Sequence, residues 1–192
     1  EPNEVEPELI EMIAAEEWLC RHLHIPLQSG DDAILGKMNR TYRAANFADL
    51  SGRIRQAVPL AAIGVDVMVG FPGEDERAFE NTRGLIRDLP VSYLHVFPFS
   101  PRKGTPAAGF TGRVDPATMK RRAGELRAVG KVKRMEFYAS CLGREFRVLI
   151  EGRDPERLSL ARGLSDNYLP VSFPYRQGSE NTVVRVRVER TD

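Results

Sequence analysis

Cysteine is nearly absent. The 192-residue chain has two, Cys20 and Cys141, a spacing that builds neither a disulfide framework nor a clustered set of metal ligands. Neither has a base beside it in sequence, so both read as structural or incidental. Histidine is almost as sparse, with His22, His24 and His95. His22 and His24 share a face if their segment is a strand, which allows a metal pair. No cysteine or carboxylate cluster accompanies them in sequence, so the expectation is hydrogen-bonded histidines and no metal. Apolar runs are far too short to span a bilayer, and no signal peptide is visible in this sequence. No GxGxxG, P-loop or nucleophile elbow occurs. These absences argue against a membrane protein, a secreted disulfide scaffold, a dinucleotide-binding enzyme and a serine hydrolase. The expected compartment is the cytoplasm, with no membrane partner.

What remains is ordinary for a globular chain of one or two domains: 42% hydrophobic and 29% charged residues, with a net charge of +1. The charge is unevenly placed. Residues 1–20 hold seven acids and no base, whereas 115–140 hold seven bases against three acids. Such a basic segment attracts nucleic acid or is simply a solvated helix face.

The hydrophobic periodicity predicts an amphipathic helix over 6–19, with Leu9, Ile10, Ile13 and Trp18 inward. A short strand and polar turn follow over 22–30, then a helix to Met38 capped by Asp31 or Asp32. Helix 44–57 stops at Pro59. LAAIGVDVMV, 60–69, reads as a buried parallel strand. A helix is expected over 74–88, a third strand over 91–99, and a long helix over 115–139 with Pro116 in its first turn. Beyond Ser140 the pattern alternates, over 146–150, 168–173 and 183–188. Asp154-Pro155, Gly163 and Gly178 read as turns, which together suggest a small all-β barrel.

Three places put polar groups where a strand ends, the edge at which α/β sheets and barrels bind ligands. They are Gln28-Ser29, Gly70 to Glu74, and Phe97 to Thr105. Asp66, inside an apolar strand, must be paired, hydrogen-bonded or open to a cavity. Each has a plain structural reading as well: a strand-helix joint, a turn that needs glycine, core phenylalanines, or a carboxylate bonded to neighbouring backbone or an Arg. After residue 140, nine arginines stand against eight acids. A phosphate-tracking surface there requires the arginines to share one face; otherwise they are a solvated barrel surface.

Four stretches together resemble the radical S-adenosylmethionine methylthiotransferases. They are LHIPLQSGDDAILGKMNRTY (23–42), DVMVGFPGEDERAFENT (66–82), LHVFPFSPRKGTPAA (94–108) and GLSDNYLPVSF (163–173). The last is similar to the core of the RNA-binding TRAM barrel. The third and fourth look most like the branch that modifies threonylcarbamoyladenosine in tRNA, less like the isopentenyladenosine or ribosomal-protein branches. The resemblance implies an α/β fold: the C-terminal half of a radical-SAM (β/α) partial barrel over 1–140, then a small all-β TRAM (OB-like) barrel over 141–192. It implies a transferase that places a methylthio group on the adenine of threonylcarbamoyladenosine next to the anticodon.

The implied cofactors are S-adenosylmethionine and two [4Fe–4S] clusters. The implied partners are the tRNA anticodon stem-loop, a sulfur donor and a reductant. The family holds its radical cluster with CxxxCxxC, which this sequence lacks, so the expectation is a fragment that ligates no cluster and turns nothing over alone. By resemblance, Gln28, Ser29, Asp66, Gly70, Phe97 and Ser100 line the S-adenosylmethionine pocket, and Arg40 grips the methionyl carboxylate. Glu74 stands one place beyond the superfamily's usual glutamate. RNA contact is assigned to Arg144, Arg147, Arg162, Tyr168, Arg185 and Arg187. The alternative is a non-catalytic RNA-binding protein with a degenerate half barrel and a working TRAM module. An open half barrel would also expose apolar strand faces and could self-associate through them.

Overall fold

The computed structural model describes residues 1–191. A 3-10 turn, Pro2–Glu4, leads into α1 (Pro7–Ala15), and a second, Pro106–Gly109, follows the third strand. Then follow β1 (His22–Gln28), α2 (Asp32–Lys37), α3 (Ala44–Ala57), β2 (Ala62–Val69), α4 (Glu76–Asp88), β3 (Tyr93–Pro98) and the 25-residue α5 (Pro116–Ser140). The antiparallel part comprises β4 (Glu145–Arg153), β5 (Leu160–Ser165), β6 (Pro170–Pro174) and β7 (Val183–Arg187).

The first sheet is parallel with order β1-β2-β3. Sequential order with helical crossovers puts the helices on one side, as in a barrel wall. Ile25, Leu27, Ile63, Val65, Val67, Val69, Leu94 and Val96 point to that side. There they join Phe47, Leu50, Ile54, Phe79, Ile86 and Leu126 in one core. Side chains alternate along a strand, so His22, His24, Asp66, Met68, Tyr93, His95 and Phe97 occupy the other, open side. Of the apolar residues on this face, Phe97 is exposed, while Met68 and Pro26 are half-buried. Lower down, the open side is polar and aromatic.

Helix starts follow side-chain capping, each cap worth about 1 kcal/mol. Asp31 accepts from the N–H groups of Ala33 and Ile34 at 3.0 and 3.1 Å, Asp75 from Ala78 at 2.8 Å, and Asp115 from Thr118 at 2.9 Å. The first helix is shorter than its periodicity predicts. Glu16 is extended, so Trp18 is exposed and its indole donates to Glu16 at 3.0 Å. Leu9 also faces solvent, while Ile10 and Ile13 are buried as expected.

The second sheet has order β6-β5-β4-β7, all antiparallel. It curls but does not close: β6 and β7 are its unpaired edges, and Val171, Phe173, Val184 and Val186 are only partly buried between them. The expected barrel is, among the described residues, a half barrel of four strands. Gly163 sits inside β5 rather than at a turn. A Cβ there would lie 2.5 Å from Val148 and 2.6 Å from the Leu149 carbonyl, so glycine lets β4 and β5 approach. The 168–173 strand begins two residues later than predicted, because Tyr168, with φ of 64°, belongs to the turn between β5 and β6.

The two sheets are bolted together. Arg21, just before β1, pairs with Asp166 at 2.6 Å. Asn167, fully buried, donates to the Leu60 carbonyl at 3.0 Å. Phe137 and Cys141 at the end of α5 pack with Ala62, Phe146 and Leu169.

Candidate functional site on the open face

The open face is built by register. Gly64 of β2 lies opposite Tyr93 of β3, Asp66 opposite His95, and Met68 opposite Phe97. Across β1, Pro26 pairs with Asp66 and His24 with Gly64. A Cβ on Gly64 would come within 2.3 Å of the Tyr93 ring. The glycine thus lets Tyr93 lie flat across the sheet toward β1. Its hydroxyl reaches His22 Nε2 at 2.7 Å and His24 Nδ1 at 3.2 Å. His24 Nε2 lies 2.8 Å from Asp66 Oδ1, and His95 Nδ1 3.5 Å from the same oxygen. One polar chain therefore runs His22–Tyr93–His24–Asp66–His95 across three strands. Burial lowers the pKa of His22, helped by the nearby His24, and burial pushes the Tyr93 hydroxyl up to about 12. Both therefore stay neutral near pH 7.

Tyr168 reaches this face from the second sheet. Its ring stacks on His22 with centroids 4.1 Å apart and planes 10° from parallel. It forms the floor of the open face and is not grouped with the arginines on the outside of the half barrel.

At the upper strand ends the expected residues divide into two sets. Gln28 ends β1 at a bulge with φ of 63°. That region is costly for a side-chain-bearing residue and is often retained for function. Phe97 is 49% exposed, and Ser100 lies on the exposed loop after β3. These three are open to a ligand. Ser29 and Gly70 are committed to the fold instead. Ser29 is buried, 3.3 Å from the Thr82 hydroxyl, and accepts from the N–H of Asp31 at 3.2 Å. Gly70 donates to Glu74 at 3.1 Å, and Met119 fills the place where its Cβ would be.

Glu74 is buried and faces Arg122 at 2.7 Å, both under 5% side-chain exposure. Burial raises its pKa, against the pull of the Gly70 N–H and of Arg122. Arg122 also donates to the Glu74 carbonyl at 3.0 Å and to Glu76 at 3.0 Å. The β2–α4 turn is thus locked from within. Arg40 does hold a carboxylate, but it is that of Glu1. Its buried Nε has no hydrogen-bond partner.

On the half barrel, Arg147 of β4 lies directly opposite Arg185 of β7, and Arg187 opposite Glu145. Arg162 points outward from β5, and Arg144 precedes β4. Like charges facing each other across strands repel. Glu145 offsets part of this, 3.4 Å from Arg185.

Sequence reading named Asp66 and all three histidines but did not join them. The signal was the period-two spacing of His22 and His24. The missing information was the β2–β3 register that sets Asp66 beside His95.

Cys20 is exposed ahead of β1, and Cys141 is buried in the second core. No helix among the described residues is long and apolar enough to cross a membrane.

Residues 1–86 match the family model of the Radical SAM superfamily. The tRNA-2-methylthio-N(6)-dimethylallyladenosine synthase of Methylobacillus flagellatus is 36% identical over 187 residues, 97% of this chain and 42% of that protein. The threonylcarbamoyladenosine tRNA methylthiotransferase MtaB of Bacillus subtilis is 33% identical over 190 residues, 98% of the chain and 42% of that protein. Its namesake in Rickettsia prowazekii is 38% identical over 170 residues, covering 88% and 38%. The chain thus spans about two-fifths of the length of these relatives. Similarity of this extent behind all four motifs supports the radical S-adenosylmethionine methylthiotransferase family for this chain.

Proposed function

We propose that this chain is the C-terminal part of a tRNA methylthiotransferase acting on threonylcarbamoyladenosine: the last strands of a radical-SAM barrel over 1–140, and a TRAM module over 141–192. The observation that carries this reading is the convergence of three parallel strand ends on one open face, in a chain similar over nearly its whole length to tRNA methylthiotransferases. Relatives of both adenosine branches match, so the choice of branch rests on LHVFPFSPRKGTPAA and GLSDNYLPV. S-adenosylmethionine, when bound together with an iron–sulfur cluster, would supply the radical chemistry. Gln28, Phe97 and Ser100 are the groups of this chain that would hold it: an uncommitted amide, an exposed aromatic face and a hydroxyl. Asp66 lies two residues deeper than Met68, toward the substrate side. Ser29 and Gly70 shape the pocket from behind by fixing the turns, and Arg40 supplies a guanidinium from the α2–α3 connection.

On the half barrel, Arg147, Arg162, Arg185 and Arg187 share the outward face, with Arg144 at its edge. Phosphates of a tRNA stem-loop would relieve the repulsion between Arg147 and Arg185. Tyr168 helps by holding the two parts in one orientation rather than by stacking on a base.

The test uses the full-length protein with its clusters reconstituted. Methylthiolation is read by mass spectrometry of tRNA carrying either threonylcarbamoyladenosine or isopentenyladenosine. Product on the first and not the second is expected, and the reverse would overturn the branch. In the same protein, Arg185→Glu should weaken tRNA binding several-fold at low salt and flatten its salt dependence. An unchanged salt slope would remove this face from the interface.

A further inference from the structure

We infer that His24, Asp66 and His95 form a binding site for a single first-row divalent transition-metal ion, an inference that stands independently of the transferase reading. Each of the three parallel strands supplies one donor, and the three donor atoms all lie within 4.8 Å of one another. Two imidazoles and one carboxylate are a common ligand set for iron(II) and zinc. Donor atoms around a tetrahedral zinc stand about 3.3 Å apart, given metal–ligand bonds of about 2.0–2.2 Å. The observed separations from Asp66 are 2.8 and 3.5 Å and the whole donor set lies within 4.8 Å, so the partly exposed side chains need only adjust within their own reach to enclose an ion. The residues are partly to well exposed, which leaves coordination positions for water or an incoming oxygen.

Two features favour a cation over a bare hydrogen-bonded group. First, the ion-pair partners of Asp66 among the described residues are these two histidines, with no guanidinium or ammonium. The carboxylate in this apolar strand thus has no permanently charged side chain paired with it. Second, an outer layer of support is already in place. Tyr93 hydroxyl can donate to His22 Nε2 and accept from His24 Nδ1–H. A cation between His24 Nε2 and Asp66, now 2.8 Å apart, would take the place of the Nε2 proton, and Tyr93 would then accept from His24 Nδ1–H and fix the tautomer a metal ligand needs. Tyr93 is held in place by the Gly64 gap beneath it, and His22 by the Tyr168 stack.

Isothermal titration of the 192-residue chain with zinc chloride, after chelator treatment, tests this. One site of micromolar or better affinity is expected. Asp66→Asn and His24→Gln should each weaken it at least about tenfold, and Tyr93→Phe by about tenfold through loss of ring support. His95 is exposed, so His95→Ala should fold normally by circular dichroism and still lose affinity. Cys20→Ser should change nothing. Substituted cobalt(II) should show ligand-field bands without thiolate charge transfer. Absence of binding at 100-fold excess zinc, affinity unchanged in His95→Ala, or a thiolate band that disappears in Cys20→Ser would each overturn the site.

Discussion

The two faces of the parallel sheet are made from alternate residues of the same three strands, yet they obey different rules. Ile25, Val65, Val67 and Leu94 on the helix side are buried with aliphatic and aromatic neighbours, and any apolar group of similar volume would serve there. His24, Asp66, Tyr93 and His95 on the open side are held by register and by directed polar contacts, where position matters more than volume. The helix side supplies stability and the open side supplies chemistry.

Substitutions on the two faces should therefore separate sharply in denaturant unfolding. Phe79, fully buried on the inner face of α4, should cost about 3–5 kcal/mol when changed to Ala, through lost burial and the cavity left behind. His95→Ala, at an exposed position on the other face, should stay within about 0.5 kcal/mol. Comparable losses at both positions would erase the distinction.

A smaller effect is expected where the faces meet. Gly64→Ala forces a methyl into the Tyr93 ring and should cost about 1–3 kcal/mol, the usual range for overpacking. Because the ring must lift, NMR should show the His22 and His24 imidazole shifts moving together. Destabilisation with unmoved histidine shifts would mean that Tyr93 does not join them.

The smallest effect is on pH dependence. The folded-state pKa of His22 lies below its ordinary value because of burial. The unfolded chain therefore takes up its proton first as pH falls. The contribution of His22 to stability is complete above about 6.5, the unfolded value, and is lost as pH drops through the lowered folded value. Unfolding free energies at pH 7.5 and 5.5 should differ less in His22→Gln than in the wild type. An equal difference would show that His22 titrates as a free imidazole.

Much of the frame was legible beforehand. The apolar runs at 23–27 and 60–69, the caps Asp31 and Asp115, and Pro59 and Pro116 located strands and helices closely, because these are local preferences of a few residues. The first helix was overextended, since periodicity in Leu9 and Trp18 cannot reveal that the chain turns at Glu16. Gly163 was misread as a turn because close strand approach and turn formation both call for glycine. The half barrel was expected to close, but closure depends on the pairing of distant edges, β6 with β7, to which no local pattern speaks.

The sequence by itself determined the alternation of helix and strand, the family motifs and the roster of polar residues at strand ends. The tertiary structure decided which of these act together. It turned Ser29, Gly70 and Glu74 inward to lock turns and left Gln28, Phe97 and Ser100 open. It carried Tyr168 from the second sheet to the floor of the first. Above all it set Asp66 between His24 and His95. The reason is that composition and period fix which face a side chain occupies, whereas its neighbour on the next strand is fixed only by the register of hydrogen bonds between chain segments dozens of residues apart.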